Sequence, residues 1–138
     1  MHYFSVSSVK SGNKDNRGAT GNDAIAIGPE STAGDYAVAL GNKAIASNAG
    51  SIAVGSENKA EARDGITIGR FASTNGAGNS QSIAIGGGNY PNAGANATGD
   101  QSIAIGGNTY ARGNSSIVIG GDDIVYRKRR QSGLSVRI

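Results

Sequence analysis

Short stretches of alternating apolar side chains recur along the chain and divide it into similar segments. Each stretch consists of a branched aliphatic residue, a small residue, a second branched aliphatic residue and then glycine, with Thr67 and Val118 as the two variants at the small position. The seven stretches begin at Ile25, Val38, Ile52, Ile66, Ile83, Ile103 and Ile117, at spacings of 13, 14, 14, 17, 20 and 14 residues. A repeat of this length predicts stacked coils, each buried only against its neighbours.

Within each stretch the alternation has period two, which predicts a β-strand, and the glycine that follows predicts a turn with positive φ or a close approach of two backbones. Small residues five positions past the glycine predict a second, shorter strand in most coils. They are Ala33, Ala46, Ala60, Ala111 and Val125. Gly-Asn or Gly-Asp pairs such as Gly34-Asp35 and Gly99-Asp100 precede four of the stretches and predict the second turn. The sequence therefore predicts an all-β, parallel β-roll of about seven 14-residue coils.

The two faces of the long strands carry side chains of different size, and we assign the larger ones to the interior of the roll. The predicted roll core is Ile25, Ile27, Val38, Leu40, Ile52, Val54, Ile66, Ile68, Ile83, Ile85, Ile103, Ile105, Ile117 and Ile119. The alanines between them would form an outward stripe of methyl groups that another chain could approach closely. The predicted oligomer interface is Ala26, Ala39, Ala53, Ala84 and Ala104.

Two coils are longer than fourteen residues, and we assign the extra length to insertions at Arg70–Gln81 and Gly87–Gln101. Loops that project from a rigid scaffold often carry binding residues. The candidate ligand-binding residues are Phe71, Asn89, Tyr90, Pro91 and Asn92. The alternative is that both insertions are surface decorations without a ligand.

Composition and charge argue against several functional classes. The 138 residues include 23 glycines and no cysteine, too little bulk for an ordinary globular core. The net charge of +3 arises from the end of the chain, because five of the 13 basic residues lie in the last twelve and residues 1–126 carry 8 basic against 10 acidic residues. A nucleic-acid interface over the repeats is therefore not supported. The run Arg127–Arg130 is either a polyanion contact or a solvated end.

No constellation for catalysis, a cofactor or a metal ion is visible in the sequence. His2 is the single histidine, and no nucleophile and base pair accompanies it. No run of eighteen apolar residues and no secretion-signal pattern is present, so the chain is either cytosolic or a piece of a longer exported protein.

The repeated phrase resembles the head motif of YadA-like trimeric autotransporter adhesins. Ser82–Gly86 and Ser102–Gly106 read Ser-Ile-Ala-Ile-Gly, Ser51–Gly55 and Ser116–Gly120 are close variants, and Tyr3–Ser8 resembles the segment that often begins such heads. The resemblance covers about residues 20 to 121. It implies a left-handed β-roll, a homotrimer displayed outside the outer membrane of a Gram-negative bacterium, and binding to host matrix or cell-surface molecules. Membrane attachment would come only through an anchor that this sequence does not contain.

The resemblance also implies a division into an N-terminal lead-in at 1–20, head repeats at 21–121 and a basic segment at 122–138. Residues 130–134, Arg-Gln-Ser-Gly-Leu, resemble only faintly the neck that usually follows such a head. Two alternatives remain. One is a trimeric phage or surface fibre without a ligand. The other is a solenoid acyltransferase, which the 14-residue spacing disfavours because those coils have about eighteen residues and use a catalytic histidine.

Overall fold

Thirteen short strands and no helix form the part of the chain that the computed structural model describes, residues 15–75 and 81–121. In chain order the strands are β1 (Ile25–Ile27), β2 (Thr32–Ala33), β3 (Val38–Leu40), β4 (Ile45–Ala46), β5 (Ile52–Val54), β6 (Lys59–Ala60), β7 (Ile66–Ile68), β8 (Ser73–Thr74), β9 (Ile83–Ile85), β10 (Asn96–Ala97), β11 (Ile103–Ile105), β12 (Tyr110–Ala111) and β13 (Ile117–Ile119).

The strands alternate between two parallel sheets, so the backbone winds as a solenoid. The seven odd-numbered strands form one sheet in sequence order, and the six even-numbered strands form the other. The described residues therefore contain about six complete turns, with β13 beginning the next. The prediction of an all-β parallel roll is confirmed, including the short second strand at Ala33, Ala46, Ala60 and Ala111, whereas Val125 lies outside the described residues.

The register places equivalent residues of successive coils directly beside one another. Ala39 pairs with Ala26 on one side and Ala53 on the other, and Ala84 pairs with Ala104. In the second sheet Ala46 pairs with Ala33 and Ala60 in the same way, which places each column of identical residues along the axis of the roll.

The apolar interior of the roll is made of alanine, and the assignment of the two faces from the sequence was therefore wrong. Every buried apolar side chain in the described part of the chain is an alanine, and those at the centre of β3, β5, β9 and β11 have no exposed surface. Ala26 is partly buried and packs against the same core. These alanines are covered within a single chain, so they cannot form the predicted interface between chains.

The branched aliphatic side chains instead point outward, and none of the fourteen assigned to the roll core is buried in the single chain. Ile25 is 50% exposed, Ile119 48%, Leu40 42% and Ile68 39%. A coil of about fourteen residues encloses little space between its two sheets, and most interior positions of the strands hold no more than a methyl group. The period-two prediction was correct, but the small residue of each strand is the one that fits inside.

The glycine after each long strand allows the tight turn that joins the sheets. Gly55 has a φ of 143°, and a Cβ added there would lie 2.8 Å from the carbonyl carbon of Gly69 in the next coil. Gly69 has a φ of 123° and would meet Gly86 in the same manner. Positive φ and a close approach of backbones, which the sequence predicts as alternatives, thus occur together.

The second turn has a left-handed residue, which is glycine at Gly50 (φ 69°) and another residue type in the other described coils. The sequence predicts left-handed backbone at the Gly-Asp pairs, whereas positive φ falls on the next residue, as at Tyr36 (56°) and Gln101 (54°). One side chain of a pair bonds to the backbone of the adjacent coil instead: the backbone N–H of Asn22 donates to Asp35 Oδ1 at 2.8 Å. Asx side chains therefore connect adjacent turns.

Candidate functional site

The five candidate ligand residues lie at one edge of the roll, where the long strands turn toward the short ones. Phe71 follows β7, and residues 89–92 follow β9 in the next coil. The two turns are in contact, because the amide of Gly88 donates to the carbonyl of Arg70 at 2.9 Å. A Cβ added to Gly94 would lie 2.5 Å from the carbonyl carbon of Phe71. The structure thus brings Phe71 beside the second insertion.

The second insertion enters before the short strand. Ala97 of β10 occupies the position that lies five residues past the glycine in the other coils, but it follows Gly86 by eleven. The six extra residues therefore belong to the first turn. Residues 96–101 form β10 and an ordinary second turn, although the sequence prediction counted them in the insertion. Of the first insertion, residues 76–80 lie outside the described part, whereas 70–75 form a normal turn and β8.

Backbone hydrogen bonds fold the second insertion against the scaffold. The amide of Ala93 donates to the carbonyl of Tyr90 at 3.1 Å, and the amide of Ala95 donates to the carbonyl of Gly86 at 2.9 Å. The amide of Asn108 in the following coil donates to the carbonyl of Ala93 at 2.8 Å. Ala93 and Ala95 are buried, so the base of the insertion is part of the roll while its tip is exposed.

Two further side chains hold the tip, and neither was among the residues selected from the sequence. Tyr110 on β12 donates from its hydroxyl to the carbonyl of Asn92 at 2.5 Å. Asn96 on β10 donates from Nδ2 to the carbonyl of Gly94 at 2.7 Å and to that of Asn92 at 3.3 Å. Both occupy outward positions of short strands. A long polar side chain at such a position, close to an insertion, is the feature of the sequence that could have identified them.

Two arginines accompany the aromatic side chains of this edge. Arg70 places its guanidinium carbon 4.5 Å from the centre of the Phe71 ring, and Arg112 lies 5.1 Å from the Tyr110 ring. Arg70 also approaches Glu57 at 3.7 Å. Since these groups are largely exposed, the ion pair contributes at most about 1 kcal/mol, and its main effect is on the orientation of the arginine.

A second surface runs along the outside of the long-strand sheet. We call it the aliphatic face; it comprises the first and third residues of the seven long strands. Register stacks these side chains in two columns, such as Ile52 beside Ile66 and Val54 beside Ile68. At about 4.8 Å per strand, six strand spacings give columns roughly 29 Å long. A continuous apolar surface of this size on one chain is typical of an interface between chains.

Residues 15–75 and 81–121 contain no group of three or more His, Cys, Asp or Glu side chains that could hold a metal ion. The same ranges contain no helix long and apolar enough to cross a membrane. His2 and the basic run 127–130 lie outside the described residues, as do the lead-in up to residue 14 and the segment from 122 to the end.

One family matches the chain, and the match falls on the regular coils. The sequence model of the YadA head domain repeat (2 copies) matches residues 19–33, 34–58 and 97–122. The resemblance identified from the repeated phrase is thus confirmed. Residues 59–96, which contain most of both insertions, lie between the matched segments. Searches of curated proteins and of solved structures gave no match.

Proposed function

Because the chain carries YadA head domain repeats, we propose that it is part of the passenger of a trimeric autotransporter adhesin on a bacterial surface. In this proposal the roll is a rigid, non-catalytic module that binds host extracellular matrix or cell-surface molecules. The outer-membrane anchor would belong to another part of the protein. The exposed tip of the second insertion, with Tyr90 at 63% exposure, is the proposed ligand-contacting segment.

The observation that supports an assembly of several chains is the exposed aliphatic face. Its fourteen branched side chains are partly or largely exposed on the single chain, although the alanine interior buries little apolar area per coil. Covering these columns would remove a large apolar surface from water, at about 25 cal/mol per Å². We therefore propose that copies of the chain associate through the aliphatic face, as the trimer that the YadA head repeats imply. The aliphatic face thus replaces the alanines of the long strands as the proposed trimer interface.

Three copies on one axis would also present each binding tip three times. Multivalent attachment raises overall affinity without new contacts, so individually weak sites suffice to hold a cell. A rigid roll is suited to this role because it fixes the spacing of the tips.

The mass in solution and binding to matrix proteins together test the proposal. Light scattering of the purified chain should give three times the mass of 13.8 kDa. The same sample should bind at least one of immobilised collagen, fibronectin and laminin, or an epithelial cell surface. A folded monomer at micromolar concentration contradicts the assembly. A stable trimer that binds none of these surfaces supports the alternative of a fibre module without a ligand.

A further inference from the structure

The tip of the second insertion presents an aromatic ring on a fixed support. Tyr90 is 63% exposed, although the carbonyl of its own residue accepts a hydrogen bond from the amide of Ala93. Two residues further on, the carbonyl of Asn92 is held by Tyr110 and Asn96 from two different coils. Pro91, between them, restricts the backbone further. An exposed ring on a pre-organised turn loses little conformational entropy when it binds a partner.

The groups around this ring are neutral and polar. The side-chain amides of Asn89 and Asn92 make no hydrogen bond within the described residues, and both residues are exposed. Residues 87–95 contain no charged side chain. An amide offers two N–H donors and a carbonyl acceptor, so the tip combines an apolar ring face with several unused hydrogen-bonding groups.

We propose that this tip binds a neutral glycan. The proposal rests on the proposed adhesin function and names the chemical class of its ligand. The apolar C–H face of a hexose ring matches the face of Tyr90, and its hydroxyl groups match the donors and acceptors of Asn89 and Asn92.

Size and charge favour this ligand over the alternatives. A stable protein interface needs about 800 Å² on each partner, far more than one exposed ring and two amides provide. A polyanion would require cations on the tip itself, and residues 87–95 contain none; Arg70 beside it approaches Glu57 at 3.7 Å. A single sugar contact is weak, but repeated sites make weak contacts sufficient.

A matched pair of tyrosine variants tests the proposal. Tyr36 is 64% exposed, nearly the same as Tyr90, but it lies in the second turn of an earlier coil, away from the insertion. Wild type, Tyr90→Ala, Tyr90→Phe and Tyr36→Ala are applied to an array of neutral N- and O-linked oligosaccharides. They are also applied to laminin and fibronectin, each untreated or oxidised with periodate to open the sugar rings.

We expect wild type, Tyr90→Phe and Tyr36→Ala to bind the array and the untreated proteins, and Tyr90→Ala to bind about tenfold more weakly or not at all. Periodate treatment should abolish binding of wild type. Equal melting temperatures and masses would show that the variants are folded.

Four outcomes overturn the inference. If wild type binds matrix protein but no glycan, or if periodate leaves binding intact, adhesion stands and the ligand class is wrong. Equal weakening by Tyr90→Ala and Tyr36→Ala removes the tip as the site. Absence of binding to every surface removes the proposed function as well.

Discussion

The hydroxyl oxygens of Thr67 and Thr74 lie 3.1 Å apart inside the roll, at positions where the adjacent coils have alanine. Thr67 also donates its hydroxyl hydrogen to the carbonyl of Lys59 at 3.3 Å, so Thr74 is the donor between the two threonines. Asn58, fully buried, donates from Nδ2 to the carbonyl of Thr67 at 3.3 Å. Three departures from the repeat thus form one polar layer.

A glycine lies beside this layer. Gly65 occupies the place taken by Ser51 in the previous coil, and a Cβ there would lie 2.9 Å from Ala62 Cβ and 3.0 Å from the hydroxyl of Thr74. Since identical coils could pair with the wrong neighbour, one distinct layer favours a single register.

Replacement of Thr67 by alanine should destabilise the chain by about 1–3 kcal/mol, because the buried hydroxyl of Thr74 loses its acceptor. The double variant Thr67→Ala, Thr74→Ala should lose less free energy of unfolding than the two single variants lose together, and the difference should be about 0.5–3 kcal/mol. Urea unfolding at one fixed chain concentration measures the cycle, since the proposed assembly would make stability depend on concentration.

Thr109→Ala is the control for this cycle. Thr109 is 1% exposed and donates only to Gly106 of its own turn, at 2.7 Å. The loss of stability caused by Thr109→Ala should therefore add to the loss caused by Thr67→Ala. Additive effects of Thr67→Ala and Thr74→Ala would show that the two hydroxyl groups do not interact.

Adjacent substitutions should separate folding from assembly. In Ala84→Glu the new side chain enters an interior with 0% exposure, so the roll itself should unfold. In Ile85→Glu the change lies on the aliphatic face, so the proposed trimer should dissociate, and the single chain should keep its strands or unfold only at low concentration.

Circular dichroism and light scattering, both measured over a range of chain concentrations, distinguish the two effects. Lys59→Glu, exposed on the outside of the other sheet, is the control and should retain structure and mass. Native mass for Ile85→Glu would rule out the aliphatic face as the interface.

Substitution of Gly55 by alanine should be costly for two reasons. Its φ of 143° is unfavourable for an L side chain, and the new Cβ would meet the backbone of Gly69. We expect a loss of about 2–4 kcal/mol, above the usual effect of a point change. Gly113→Ala is the matched control, because the nearest atom to its Cβ is 3.6 Å away and its φ lies outside the left-handed region. Similar melting temperatures for both variants would contradict this account of the turn.

Strand positions and turns of the roll could be predicted from the sequence because they depend on local signals. Alternation places Ile83 and Ile85 on one face and Ala84 on the other, and the glycine after them marks the turn. Which face points inward depends on the space between two sheets, and no single stretch of sequence contains that information. The usual rule that the larger apolar side chain is buried fails here because each coil is so short.

The candidate site was predictable in part for a similar reason. Coil length revealed the insertion and its exposed Tyr90, whereas one of the two side chains that hold it, that of Tyr110, comes from the next coil. Tyr110 lies eighteen residues from Asn92 in sequence, yet donates a hydrogen bond to its carbonyl. Contacts between coils follow from the register, which is known only once the insertion has been placed before β10 rather than after it.

Deletion of residues 88–93 should leave the roll intact and remove binding through the insertion. The shortened coil would read Gly86-Gly87-Gly94-Ala95-Asn96-Ala97, which restores Ala97 to the fifth position past the glycine. The amide of Asn108, which now donates to Ala93, would find the carbonyl of Gly87 instead. Lys43 already donates to Pro29 at 2.9 Å in the equivalent place of a regular coil.

We therefore expect unchanged circular dichroism and mass, a similar melting temperature, and loss of attachment to the surface that the wild-type chain binds. Deletion of 87–101, the whole segment first assigned to the insertion, is the contrasting variant. It also removes β10 and the turn before β11, so its roll should be disrupted. Loss of the trimer in the shorter deletion would mean that the insertion clamps neighbouring chains. Retained attachment would place binding on the regular coils.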